Sequence, residues 1–270
     1  MNKKTAGRVL WIAVLIALLI GVFLTSGSHE THGDISEVMR DAVLHENEVI
    51  DIGFMTVNPA VISAFTVTAA LLLAALVIRI FVIPKFKYVP GRFQIVLEEI
   101  VKLFDNLAKE QSPHKNGFLS AYIFAAGIYI FFSTLFELFG FQAITVHGTP
   151  IALPAPLSDI NAAICLGCLS YLVILSGGIS GAGLKGVGRT LKDFSLPISM
   201  SFRLFGALLS GLLVTELVYY YTALSFVLPV AVGVMFTLLH ALIQAYVLTM
   251  LTALFYGEVS EPVHKKEKTK

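Results

Sequence analysis

The stretch LPISMSFRLFGALLSGLLVTELVYYY, residues 196–221, decides the fold. Its apolar length exceeds the roughly 20 residues that a helix needs to cross a hydrocarbon core about 30 Å thick. Yet it carries an arginine, Arg203, and a carboxylate, Glu216. A charge at membrane depth costs at least ~2.5–3.5 kcal/mol on insertion scales, so it normally faces protein or water and serves a function. Arg203 lies about seven residues inside one end of the stretch, ~10 Å at the helical rise, so snorkelling to the headgroups is the competing account.

The 270 residues are 56% hydrophobic and 14% charged, against about 45–50% and about 25% in soluble domains. The expectation is an all-α, polytopic integral membrane helical bundle, with a long two-helix hairpin over about 196–256 and a surface amphipathic helix. The net charge of +1 offers no basic field for a nucleic acid. The only cysteines, Cys165 and Cys168, sit in an apolar run and are expected as small buried core residues rather than a redox or metal pair. Neither a cofactor nor a metal site is expected.

The organisation follows the charges. Residues 1–26 form an apolar segment with a basic start, which fits a signal peptide and an extra transmembrane helix equally well; residues 27–58 read as an external loop. Apolar blocks follow at Pro59–Ile83, Phe118–Phe141, Ile160–Leu175, about 196–225 and about 227–256. The last two are separated only near Pro229 and so form an antiparallel hairpin. Arg79, Lys85, Lys87 and Arg92, then Lys185, Arg189 and Lys192, and finally the basic tail 259–270 mark one side as cytoplasmic. Between Arg92 and Lys109 the pattern turns amphipathic, with Val96, Leu97, Ile100, Val101, Phe104 and Leu107 on one face; this predicts a helix along the cytoplasmic surface. The glycine-rich SGGISGAGLKGVGR lacks the GK[ST] ending of a phosphate loop and is expected to be a flexible connector.

From Leu196 to Gly257 the only formal charges are Arg203 and Glu216, with His240 the other ionisable group. Glu216 comes 13 positions after Arg203, which places the two about 140° apart around a helix and ~20 Å apart along it, so they form no direct pair. His240 and Gln244 are i and i+4 and share a face. In an antiparallel hairpin Arg203 and Gln244 fall near one level, with Glu216 and His240 on the outer side. A lone arginine between polar approaches fits neither an anion pore, which needs rings of cations, nor a voltage sensor, which needs repeated arginines. It fits a transported charge handed to a carboxylate on another subunit.

PISMSFRLFGALLSG resembles the arginine-bearing helix of the a subunit of the F-type ATP synthase membrane sector, ALIQAYVLTMLTALFYGE resembles that family's last helix, and LSDINAAICLG resembles a third family stretch. The resemblance covers about Pro59 to Glu258, so that 59–258 is the family-like membrane domain. It implies a stator ion-channel subunit of a rotary ATP synthase, without catalytic residues, carrying protons or Na+ through two offset half-channels. Its implied partners are the rotor ring of c subunits, the peripheral-stalk b subunits, the rest of the complex and the lipid bilayer. Its implied place is the inner membrane of a bacterial cell, with the C-terminus cytoplasmic. Arg203 matches the stator arginine, Gln244 the glutamine close to it, and Asp159 and Asn161 the polar positions beside the outer aqueous access. Ser199 and Ser201 match small polar positions that packing explains equally well. Where the family commonly has polar groups, this chain has Ala207, Leu212 and Thr237; Glu216 and His240 lie about a turn from the latter two and are expected to replace them. Glu137, at the outer end of the third block, is expected to join them. The alternatives are a stand-alone secondary transporter in which Arg203 binds an anionic substrate, and a membrane scaffold with no ion path.

Overall fold

The computed structural model describes residues 50–51, 56–114, 116–144, 150–220 and 228–261, with isolated positions between 12 and 36. The N-terminal apolar segment, most of the 27–58 loop and the tail beyond 261 lie outside the described residues.

Helix α1, Pro59–Val77, starts where the Asn58 side chain accepts the Ala60 amide and proline occupies the first helical position, a site where a missing N–H costs nothing. It widens into a π-turn, Ile78–Val82, and then tightens into a 3-10 turn, Ile83–Lys85, where Pro84 ends the ladder. Its buried residues, Pro59, Ala60, Ser63 and Val67, all lie in its first half. Leu71 still packs against the cluster of Val67, Phe136 and Leu153, and residues 72–77 beyond it are exposed.

Helix α2, Arg92–Gln111, is the expected amphipathic segment. Glu98 pairs with Lys102 at 3.8 Å and Asp105 with Lys109 at 2.5 Å on its polar face. The hydrogen bond to Lys109 holds the Asp105 carboxyl below the usual carboxylate range, against slight desolvation and with help from the Ser120 hydroxyl. Only Leu107 and Ala108 are buried, and Val96, Ile100 and Val101 remain exposed, as suits a helix whose apolar side lies on a bilayer. The Phe104 ring anchors it: a Cβ on Gly127 would come within 2.6 Å of that ring, and Phe104 meets Phe124 edge to face at 5.7 Å.

Helix α3, Gly117–Leu138, stops short of Phe141 because the chain turns at Gly140, φ 58°, and enters a short hairpin. In it Gln142–Ile144 (β1) pairs antiparallel with Pro150–Ala152 (β2). A two-residue hairpin, Ile50–Asp51 with Thr56–Val57, is the other sheet among the described residues. Helix α4, Ile160–Ala182, runs past the expected end at Leu175. A break at Gly183, φ 60°, leads into α5, Leu184–Lys192.

This corrects the reading of residues 176–189 as a flexible connector. Gly177, Gly178, Gly181 and Gly186 are helical and serve close approach. A Cβ on Gly186 would lie 1.9 Å from the Gly178 carbonyl oxygen, and one on Gly181 would lie 2.2 Å from that of Ser260. The composition of a linker and that of a tight helix crossing are alike, since both need residues without side chains. A second correction concerns Cys165 and Cys168, which are exposed on the outer surface of α4 while Ala163, Gly167 and Ser170 face inward.

Helices α6, Ser195–Tyr220, and α7, Leu228–Ser260, pack on one another and form the expected hairpin. With 33 residues, α7 is ~50 Å long and exceeds an upright crossing. The core joins Leu119, Ile123 and Ile130 of α3, Ile174 of α4, Met200 and Leu204 of α6, and Leu248 of α7. Among the described residues, five helices are long and apolar enough to cross a membrane. At the basic end α7 locks onto α2, where Ser112 and Ser260 hydroxyls lie 3.3 Å apart. The molecule is an all-α, polytopic membrane bundle.

Candidate functional site

On α6 the residues Met200, Leu204 and Leu208, spaced i, i+4 and i+8, are buried at 2, 1 and 5% exposure. Arg203 is exposed on another face, next to the exposed Phe202 and in line with Gly206, whose Cβ position meets no atom within 4 Å. The helix therefore has one side that feeds the core and one side, through Arg203, Gly206 and Ser210, left bare. Arg203 makes no hydrogen bond or ion pair among the described residues. A guanidinium presents five donors and stays charged, so nothing among the described residues offsets its cost in an apolar setting.

The α7 helix has the complementary problem. Ala241, Ala245, Leu248, Thr249 and Thr252 face inward, and both threonines are satisfied by carbonyls of the preceding turn, at 2.7 Å from Ala245 and 2.8 Å from Leu248. Gln244 is buried on the same side, 8% exposed, and its Oε1 has no partner. A buried acceptor left unpaired costs ~1–3 kcal/mol. The structure joins Gln244 to Arg203 by no hydrogen bond. One turn away, His240 is half-buried; its Nδ1 lies 3.1 Å from the Phe236 carbonyl and its ring stacks on Phe236 at 5.5 Å. His240 lines a groove of about 330 Å³ whose other walls are apolar, among them Met235, Leu239 and Ile243.

At the opposite end from the basic residues, Asp159 caps α4 by accepting the Asn161 amide at 2.7 Å. Its second oxygen accepts from Asn58 Nδ2 at 3.1 Å. Asn58, in turn, caps α1, so one asparagine and one aspartate stitch together the starts of two spans. Sequence reasoning missed Asn58; its signal is the Asn-Pro pair opening an apolar run. The Asn161 side chain is exposed. Glu137 is half-buried in the last turn of α3, and its carboxylate has no partner among the described residues. Glu216 lies on α6, and its side chain is outside the described residues. Ser201 is buried and bonds the Pro197 carbonyl at 2.6 Å, with its hydroxyl 2.3 Å from where Gly167 would carry a Cβ, so packing accounts for it. Among the described residues no cluster of His, Cys, Asp or Glu is assembled for a metal.

A family model described as ATP synthase A chain matches residues 62–257. The chain belongs to that family. An ATP synthase A chain is a non-catalytic, multi-pass component of the synthase membrane sector and its ion-channel subunit. The match runs from early α1 to late α7, and its span includes Asp159, Arg203, Glu216, His240 and Gln244.

Proposed function

We propose that this ATP synthase A chain carries protons between the two sides of the membrane through two offset half-channels, and that Arg203 separates them. The observation that carries this reading is the bare, unpaired guanidinium of Arg203 on the outward side of α6. In an apolar membrane that arrangement calls for a partner anion from another chain, and the carboxylates of a rotor ring of c subunits supply it. Protons enter from the outer side past Asp159, Asn161, Glu137, Glu216 and His240, neutralise a ring carboxylate, and leave on the cytoplasmic side after the ring has turned. Sodium would use the same route if the ring selected it. Peripheral-stalk b subunits hold the chain against rotation, and its C-terminus lies in the cytoplasm of a bacterial cell.

Gln244 supports the guanidinium or the ring carboxylate as a neutral donor and acceptor. Its orphaned Oε1 separates this role from packing. Gln244→Leu is of similar volume and removes the unpaired acceptor, so thermal stability of the purified complex is expected to hold or rise by ~1 kcal/mol. ATP-driven proton pumping into vesicles is expected to fall about tenfold, the equivalent of ~1.4 kcal/mol. Glu216→Gln in the same assay is expected to reduce pumping as well. Wild-type rates in both variants, with assembly intact, would overturn the assignment.

A further inference from the structure

We propose that the basic end of the first span holds an anionic phospholipid. Cations at the end of a membrane helix are ordinary; the arrangement here is more specific. Where α1 ends and α2 begins, the chain forms an open groove of about 650 Å³. Lys85, Lys87 and Arg92 line it together with Phe81, Val89 and Phe93. None of the three cations has an ion pair among the described residues, and the nearest paired carboxylate, Glu98, is engaged with Lys102 and Gln94.

The wall is built, not incidental. Gln94 accepts the Lys87 amide at 3.1 Å and donates to the Lys87 carbonyl at 3.1 Å, while its Nε2 also donates to Glu98 at 2.7 Å. This double clamp fixes the backbone from which Lys87 projects and folds the loop over the start of α2. Beside it the apolar part is bare: Phe81 is 59%, Val89 80% and Phe93 60% exposed. Residues 72–77, the end of α1 nearest these cations, are exposed, so acyl chains have access along them. A phosphate headgroup among the cations and chains along the phenylalanines satisfy both halves of the groove at once. Basic pockets between membrane helices take anionic headgroups in this way. A free phosphate would leave the apolar wall wet.

The test uses the full-length chain in phosphatidylcholine vesicles, with spin-labelled phosphatidylglycerol or spin-labelled phosphatidylcholine as the probe and circular dichroism to confirm helicity. The wild-type chain is expected to immobilise the phosphatidylglycerol probe in preference to phosphatidylcholine. Combining Lys85→Gln, Lys87→Gln and Arg92→Gln is expected to lower that preference at least tenfold, at about fivefold per cation. Phe81→Ala with Phe93→Ala, which keeps every charge, is expected to lower retention of both probes severalfold. Lys185→Gln with Lys192→Gln, on the same side of the bundle and outside the groove, is expected to leave the preference intact. Equal retention of the two probes, an unchanged preference in the triple variant, displacement of the label by inorganic phosphate, or disappearance of the preference when the complete membrane sector is reconstituted would each overturn the proposal; the last would assign the groove to a partner chain.

Discussion

Arg203→Ala is expected to abolish ATP-driven ion pumping while the complex still assembles. Arg203 is exposed on α6, no side chain of the described bundle pairs with it, and the core residues Met200, Leu204 and Leu208 occupy a different face. Deleting the side chain therefore removes no hydrogen bond or ion pair among the described residues, and it relieves the cost of a charge in an apolar environment. A structural role would make the variant lose assembly first; a role toward an external carboxylate leaves assembly intact and stops transport. Truncating one partner of a desolvated charge pair costs roughly 2–5 kcal/mol, or a factor of about 30 to several thousand in the step it supports. Pumping measured by dye quenching in vesicles, with subunit content checked on the same membranes, reads the difference directly.

Gly186→Val is expected to have the largest effect on stability. Any Cβ at position 186 lies 1.9 Å from the Gly178 carbonyl oxygen and 2.5 Å from its carbon, both backbone atoms of α4 that have no rotamer through which to move away. The two helices must separate, and that opens the seat of Thr190, which is fully buried and bonds the Gly186 carbonyl at 3.0 Å. Overpacking costs ~1–3 kcal/mol and occasionally more; a backbone contact belongs at the upper end. The melting temperature of the purified chain and its folded yield are expected to fall, whereas Gly188→Ala, at a position with no atom within 4 Å, is expected to be close to neutral. Equal behaviour of the two variants would restore the linker reading of this segment.

Those glycines also show where a sequence stops being legible. Spans, their order, the amphipathic α2 and the long hairpin follow from apolar runs and basic flanks, because desolvation of a backbone leaves few alternatives to a helix in lipid. What surrounds each face of a span does not follow, since lipid-facing and core-facing residues are both apolar. Cys165 and Cys168 are therefore exposed where buried residues were expected, and the glycine run is a crossing where a tether was expected. In the candidate site, Arg203 and Gln244 stand out in the sequence as polar groups in apolar helices. The outward aim of the one and the unpaired burial of the other required coordinates. Asp159 was legible as a polar position, but its bond to Asn58, distant in the chain, was not.

If the Arg203 side of α6 meets the rotor ring, the two surfaces lie within disulfide distance. In a background with Cys165→Ser and Cys168→Ser, Gly206→Cys places a thiol one turn from Arg203 on the bare side. Mild oxidation of the assembled complex is predicted to join it by a disulfide to a cysteine introduced one turn from the ring carboxylate, and Leu208→Cys, on the core face, to remain unjoined. If the thiol at position 206 forms no disulfide with any ring position and instead reacts with a lipid-soluble maleimide in the intact complex, the account is contradicted.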